Sequence, residues 1–152
     1  MAEICADLTT FVPGRPLEDD GNILVRYAGG AKGILYASQI SAGEENNLRI
    51  RVYCSEGGLE WRQEEPNDLQ VRREGAPPAT WRRGNPYNCE AAAGPTTLPP
   101  GHPEGFIDAF ANLYRGAARA VRARLAGAEP ASPELDFPTV EDGARGMAFI
   151  ES

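Results

Sequence analysis

The chain has 152 residues, a length that predicts a single domain spanning residues 1–152 with a hydrophobic core of its own. Its net charge of −7 argues against a nucleic-acid partner, because phosphate backbones repel an acidic surface. The three cysteines lie far apart without a Cys-x-x-Cys pair, which favours neither a disulfide framework nor a zinc site and fits a reducing, cytoplasmic location. Neither a secretory leader nor an apolar stretch of about 18 residues is apparent, so no membrane span is predicted.

Alternating apolar and polar residues predict six or seven short strands in the first half of the chain. The pattern is sharpest over residues 48–54, where every second residue is apolar. Gly29-Gly30 predicts a type I′ hairpin turn, in which both central residues have positive φ, and Gly57-Gly58 predicts a second turn. The predicted strands cover residues 1–12, 22–28, 31–41, 48–54, 59–63, 68–74 and about 79–83.

A long helix is predicted over residues 103–126, after an irregular stretch at residues 85–100. Its apolar residues recur with the 3.6-residue period of a helix and are expected to form core against a sheet. Pro103 is expected in the first turn, Glu104 beside the positive end of the helix dipole, and Gly127 at the C-cap.

A proline-containing connector at residues 130–137 leads to a last helix, which Thr139 and Asp142 are predicted to cap. The chain ends soon afterwards, which we interpret as truncation. The expected fold is α+β, an open, predominantly antiparallel six- to seven-stranded sheet with helices packed on one face. The other face is expected to carry Arg and Tyr side chains and to form a subunit interface, and the face of each Trp stays open. The clustered arginines, among them Arg82 and Arg83, are expected to be solvated or to face another subunit, with an anion site as the alternative.

His102 is the only histidine, and it lies in a Gly-His-Pro turn directly before the long predicted helix. Two interpretations stay open. In the structural one, His102 is a loop histidine that fixes the helix entrance by bonding backbone groups. In the functional one, it contacts a sugar hydroxyl or relays a proton at the edge of a cleft, work for which histidine is the usual choice.

Other motifs for chemistry are absent from the sequence. The run from Gly29 to Gly33 does not match G-x-G-x-x-G and joins two predicted strands, so it predicts a hairpin and no dinucleotide site. Neither a P-loop nor G-x-S-x-G occurs, and the acidic pairs lie in loop-like segments. We therefore predict no catalytic residue, no cofactor-binding residue and no metal ligand in this chain.

Several segments in order resemble the C-terminal domain of the Gfo/Idh/MocA family, which includes glucose–fructose oxidoreductase and inositol dehydrogenase. The resembling segments are residues 3–8, 38–53, 57–61, 101–106 and 136–143. The family's catalytic residues lie in a Glu-Lys-Pro motif and a D-x-x-x-H motif, and neither motif occurs here. The chain thus resembles a fragment, truncated at both ends, that lacks the N-terminal Rossmann domain.

The resemblance implies the substrate-binding and dimerisation domain of a sugar or polyol oxidoreductase that is inactive alone. NAD(P) would bind the parent protein's Rossmann domain, and copies would associate through the open sheet face. The expected substrate contacts are His102, Gln39 and Asn46, with Glu44 and Glu104 ranked below them. Two alternatives remain: a free-standing, non-catalytic binding or assembly module, and a small hydrolase that uses His102.

Overall fold

A computed structural model describes residues 1–130 and 137–152, so most of the predicted connector at residues 130–137 lies outside the described residues. Two compact units are present, one made of Met1–Glu45 and Arg145–Ser152 and the other of Asn46–Ala144. Seven strands and three helices occur in the described residues, which confirms the α+β class. Instead of one continuous sheet, the strands form a three-stranded and a four-stranded sheet. Residues 39–48, which contain no strand, lie between the two sheets along the chain.

The first unit contains the antiparallel strands β1 (Glu3–Thr9), β2 (Asp20–Arg26) and β3 (Lys32–Ser38) in that order. The β2–β3 hairpin closes with a hydrogen bond from the Tyr27 N–H to the Ala31 carbonyl, at 2.9 Å. Of the loop residues, Gly30 alone has positive φ, at +87°. The predicted type I′ turn is therefore wrong, and a three-residue loop with one left-handed glycine takes its place.

The second unit contains β4 (Arg49–Cys54), β5 (Gly57–Arg62), β6 (Asp68–Arg73) and β7 (Ala79–Arg82), each antiparallel to the next. One row across this sheet joins Ile50, Trp61, Leu69 and Trp81. Because neighbouring residues along a strand point to opposite faces, both tryptophans lie on the apolar face, opposite Arg51 and Arg62. Arg73 shares this face, and its guanidinium lies 5.9 Å from the centre of the Trp81 ring.

Gly57 begins strand β5 and is not part of the turn that Gly57-Gly58 was expected to form. The turn consists of Ser55 and Glu56 instead. A β-carbon at Gly57 would lie 2.1 Å from the Arg72 carbonyl oxygen, so this position requires glycine for a close backbone approach.

The helices are α1 (Glu90–Ala93), α2 (Phe106–Leu125) and α3 (Val140–Ile150), and α1 falls in the stretch that was predicted to be irregular. Helix α2 begins at Phe106, later than predicted, because Gly105 is the N-cap and its N–H donates to Asp108 at 2.9 Å. Pro103 and Glu104 therefore precede the helix, and the roles predicted for them in its first turn are wrong.

The predicted ends of two helices are confirmed. Gly127 follows the C-cap of α2 with φ +72°, a conformation that glycine adopts without strain. At the start of α3, the Asp142 carboxylate accepts from the Thr139 hydroxyl at 2.8 Å and from the Thr139 N–H at 3.0 Å.

The apolar stripe of α2 is mostly at the surface. Phe106 is 66% exposed and Leu125 is 84% exposed, and Ala120 is the one buried residue of this helix. The prediction that the stripe forms core is therefore wrong. Its periodicity is that of an amphipathic helix, but nothing within the described residues covers most of it.

Candidate functional site

The three predicted substrate contacts are all exposed, and they belong to different units. Gln39 lies in the first unit, whereas Asn46 and His102 lie in the second. The Gln39 N–H donates to the Asp19 carbonyl at 2.8 Å. Gln39 also borders a cavity of about 310 Å³ in the first unit. Apolar side chains of β1 and of the end of α3, among them Leu8 and Phe149, form part of the wall.

Asn46 lies two residues beyond Glu44 in the polar loop that precedes β4. The next residue, Asn47, has a left-handed backbone with φ +45°, and its N–H donates to the Glu64 carboxylate at 3.1 Å. In the described part of the second unit, no hydrogen bond or ion pair joins Asn46 to His102.

His102 lies in a turn whose shape depends on backbone groups. The His102 N–H donates to the Pro99 carbonyl at 3.2 Å, and Gly101 has φ +87°, which favours glycine. The His102 carbonyl accepts from the Arg83 guanidinium. Its imidazole is exposed and forms no hydrogen bond within residues 1–130 and 137–152. The bonds of His102 to its surroundings are thus made by its backbone groups, and within the described residues the ring is left available for another partner.

Arg83 uses every nitrogen of its guanidinium to hold the segments around this turn. Nε donates to the Asn67 side-chain oxygen at 2.9 Å. One terminal nitrogen donates to the Leu98 carbonyl at 2.8 Å and lies 3.2 Å from the Glu104 carboxylate. The other donates to the His102 carbonyl. The Arg83 side chain is 17% exposed, so the interpretation of this arginine as solvated or subunit-facing is wrong.

Glu104 is buried beside Arg83, at 8% exposure. Its carboxylate accepts from the Thr97 N–H at 2.7 Å, from the Leu98 N–H at 2.6 Å and from the Thr97 hydroxyl. Burial by itself raises the pKa of Glu104, but these hydrogen bonds and the Arg83 charge outweigh it and lower the pKa below its ordinary value. Glu104 is therefore an ionised anchor of the loop. Its carboxylate binds groups of the protein itself, which supports a structural role.

Asn67 and Asn112 complete the attachment of the loop. The Asn67 amide donates to the Glu104 carbonyl at 2.8 Å and accepts from the Glu104 N–H at 3.1 Å. From α2, Asn112 donates to the Pro95 carbonyl at 2.9 Å. Sequence reasoning did not find this network, because Asn67 lies in a turn and Arg83 in an arginine pair that also fit ordinary surface positions.

Comparison with known proteins gives the chain its relatives. A family model described as the GFO/IDH/MocA C-terminal domain matches residues 1–60. The uncharacterized oxidoreductase YfiI of Bacillus subtilis is 34% identical over 153 residues, which cover 100% of this chain and 39% of that protein. This chain belongs to the Gfo/Idh/MocA oxidoreductase family, as its C-terminal domain.

Solved structures of longer Gfo/Idh/MocA-like proteins contain the same fold. An oxidoreductase from Sinorhizobium meliloti is 42% identical with a TM-score of 0.90, over 97% of this chain and 41% of that one. An inositol dehydrogenase homolog from Azotobacter vinelandii, complexed with NAD+, is 35% identical with a TM-score of 0.91, over 97% of this chain and 38% of that one. The chain thus spans well under half the length of these relatives.

The glycine run from Gly29 to Gly33 joins two antiparallel strands, whereas a dinucleotide fingerprint joins a strand to a helix. No group of three His, Cys, Asp or Glu side chains in the described segments is placed to hold a metal ion. Among the same residues, no helix has the length and apolar character of a membrane span.

Proposed function

We propose that this chain is the substrate-binding and dimerisation domain of an NAD(P)-dependent sugar or polyol oxidoreductase, and that it is inactive alone. The observation that carries the proposal is the exposed His102 imidazole on a turn that the partly buried Arg83 and the buried Glu104 side chain hold. A second structure of an inositol dehydrogenase homolog from Azotobacter vinelandii, complexed with NADH and myo-inositol, is 33% identical to this chain. A protein of that kind supports a polyol as the substrate.

His102 would bind a substrate hydroxyl and hold or accept its proton at one ring nitrogen. A neutral imidazole has one donor and one acceptor nitrogen, which matches a hydroxyl group in either direction. The amides of Gln39 and Asn46 also combine a donor and an acceptor, and we propose them as further hydroxyl contacts. NAD(P), the hydride acceptor, would bind the Rossmann domain of the parent protein, which we expect in the cytoplasm.

Dimerisation would use the polar face of the sheet β4–β7. Arg51 and Tyr53 lie on this face, and Tyr53 is 71% exposed. The buried Glu60 carboxylate pairs with two further arginines there, with ion-pair distances of 2.8 Å to Arg62 and 3.1 Å to Arg72. Tyrosine and arginine are enriched at protein interfaces, which supports this face as the contact between copies. A monomer in light scattering at micromolar concentration would contradict it.

The single histidine makes the substrate proposal testable by NMR. Addition of myo-inositol to the chain is expected to shift the one imidazole signal in a saturable manner, and His102→Ala is expected to weaken binding at least tenfold. A solute without hydroxyl groups, such as betaine at the same osmolarity, controls for solvent effects. Absence of any shift would contradict the polyol contact.

Calorimetry with NAD+ tests where the cofactor binds. We expect no heat of binding to this chain. Tight binding would contradict the assignment of the cofactor to another domain. A chain that is dimeric in light scattering and does not bind myo-inositol in the NMR titration would instead support a free-standing assembly module.

A further inference from the structure

Arg83 connects three separate segments of the second unit. Its N–H donates to the Asn67 carbonyl at 2.9 Å, which attaches the end of β7 to the β5–β6 turn. Its guanidinium then reaches the loop that carries His102, through the Leu98 and His102 carbonyls. Arg83 is thus the side chain through which the sheet contacts both the start and the end of the His102 turn.

The geometry of this contact requires a guanidinium. Three nitrogens of one planar group bind acceptors in three directions, namely Asn67, Leu98 and His102. A lysine ammonium is a compact charge on a flexible stem and does not reproduce a planar fork. Replacement of Arg83 by lysine would keep the charge opposite Glu104 but lose the contact with the His102 carbonyl.

The pairing with Glu104 indicates why a charged group is tolerated here. The Arg83 and Glu104 side chains are 17% and 7% exposed, and their closest nitrogen and oxygen lie 3.2 Å apart. Buried ion pairs of this kind contribute little net stability compared with apolar residues of similar volume, because both charges lose hydration. Compared with two apolar residues, the intact pair therefore contributes to the shape of the loop and adds little to the free energy of unfolding.

We infer that Arg83 is a positioning residue, which sets the His102 imidazole in its binding position by holding the His102 carbonyl. The inference rests on the proposed function, because it assigns a purpose to the position of His102. Arg83 does not contact the substrate in this proposal. Its replacement would weaken substrate binding by displacing His102.

Arg82 supplies a matched control. It is the neighbouring residue, its side chain is 70% exposed, and its ion pair is with Asp68 at 3.4 Å. Arg82→Lys therefore makes the same chemical change one residue away from the His102 contact. Both variants are compared with the unmodified chain by thermal unfolding, by NMR and by titration with myo-inositol.

The ligand-free experiment reads the position of His102 directly. Arg83→Lys is expected to move the imidazole signal and to speed hydrogen exchange of the His102 N–H at least tenfold, while Arg82→Lys does neither. An unchanged signal and exchange rate in Arg83→Lys would overturn the inference. The double variant Arg83→Met, Glu104→Gln removes both charges together and leaves a side-chain oxygen to accept from the Thr97 and Leu98 N–H groups, so it tests the same loss without an unpaired charge.

The titration separates this inference from the proposed function. Arg83→Lys is expected to raise the Kd for myo-inositol about tenfold, and Arg82→Lys is expected to leave it within about twofold. An unchanged Kd in Arg83→Lys, with binding lost in His102→Ala, would overturn the positioning role and keep the polyol site. A wild-type chain that shows no shift with myo-inositol would contradict the polyol site, and the ligand-free experiment then decides the positioning of His102.

Discussion

Two buried carboxylates, one in each unit, attach a loop to the fold by similar contacts. In the first unit, Asp19 accepts from the N–H groups of Phe11 and Val12, at 2.8 and 3.0 Å. In the second, Glu104 accepts from the consecutive N–H groups of Thr97 and Leu98. Each carboxylate also pairs with an arginine, so both loops are held by the same chemistry.

The arginine partners differ, and that difference separates a local from a long-range attachment. Arg15 lies four residues before Asp19, and its side chain is 42% exposed. Arg83 comes from the end of another element, is 17% exposed, and also contacts the His102 carbonyl. The Arg15–Asp19 pair joins two residues of one loop. The Arg83–Glu104 pair instead joins a loop to the sheet, and this loop carries the exposed His102 imidazole.

Glu104→Ala is expected to have the largest effect on stability. It removes the acceptor of two backbone N–H groups and leaves Arg83 without its counter-ion, so the free energy of unfolding should fall by about 3 kcal/mol. Urea denaturation measures the loss. Glu45→Ala, in the exposed loop before β4, is the control and should change the free energy by less than about 0.5 kcal/mol. A similar small change in Glu104→Ala would show that the network does not stabilise the loop.

Asp19→Ala is expected to destabilise the chain less than Glu104→Ala in the same urea titration. Two backbone N–H groups lose their acceptor here as well, but Arg15 stays half-exposed and hydrated by water when its partner is lost. An equal or larger loss from Asp19→Ala would remove the distinction between local and long-range attachment.

Acid should weaken both attachments in the same direction. Hydrogen bonds, opposed by burial, lower the pKa of Asp19 and of Glu104 below their ordinary values of 3.8 and 4.5. Lowered folded-state pKa values stabilise the fold above the ordinary values, and this stability is lost as the pH falls through the folded-state values. The Tm of the unmodified chain should therefore drop below about pH 4.5, more steeply than that of Glu104→Gln. Parallel Tm curves would contradict the role of the Glu104 charge.

Glu60→Gln is expected to have the smallest effect of the three carboxylate changes. Glu60 accepts from the side chains of Arg62 and Arg72 and not from a backbone N–H, and both arginines are about half-exposed. Loss of its charge leaves two solvated arginines and no backbone N–H without an acceptor, so thermal unfolding should show a minor decrease in Tm. A decrease as large as that of Glu104→Ala would show that charge, and not loop attachment, accounts for the stability.

Local patterns in the sequence were sufficient for most of the secondary structure. The alternation over residues 48–54 predicted β4, the 3.6-residue period predicted most of α2, and Thr139, Asp142 and Gly127 correctly marked helix ends. Each of these signals depends on residues within a few positions of one another, whose spacing directly sets which backbone groups they reach.

Tertiary structure decided the rest, because it depends on partners that are distant in sequence. The division into two sheets, the face on which each tryptophan lies and the exposure of the α2 stripe follow from strand pairing and from what covers each surface. The same holds for the candidate site. Asn67, Arg83 and Glu104 come from three segments, and a polar residue type does not reveal which of many possible partners will bury it. His102 could be singled out as the one histidine, but what holds its turn is visible only when those segments meet.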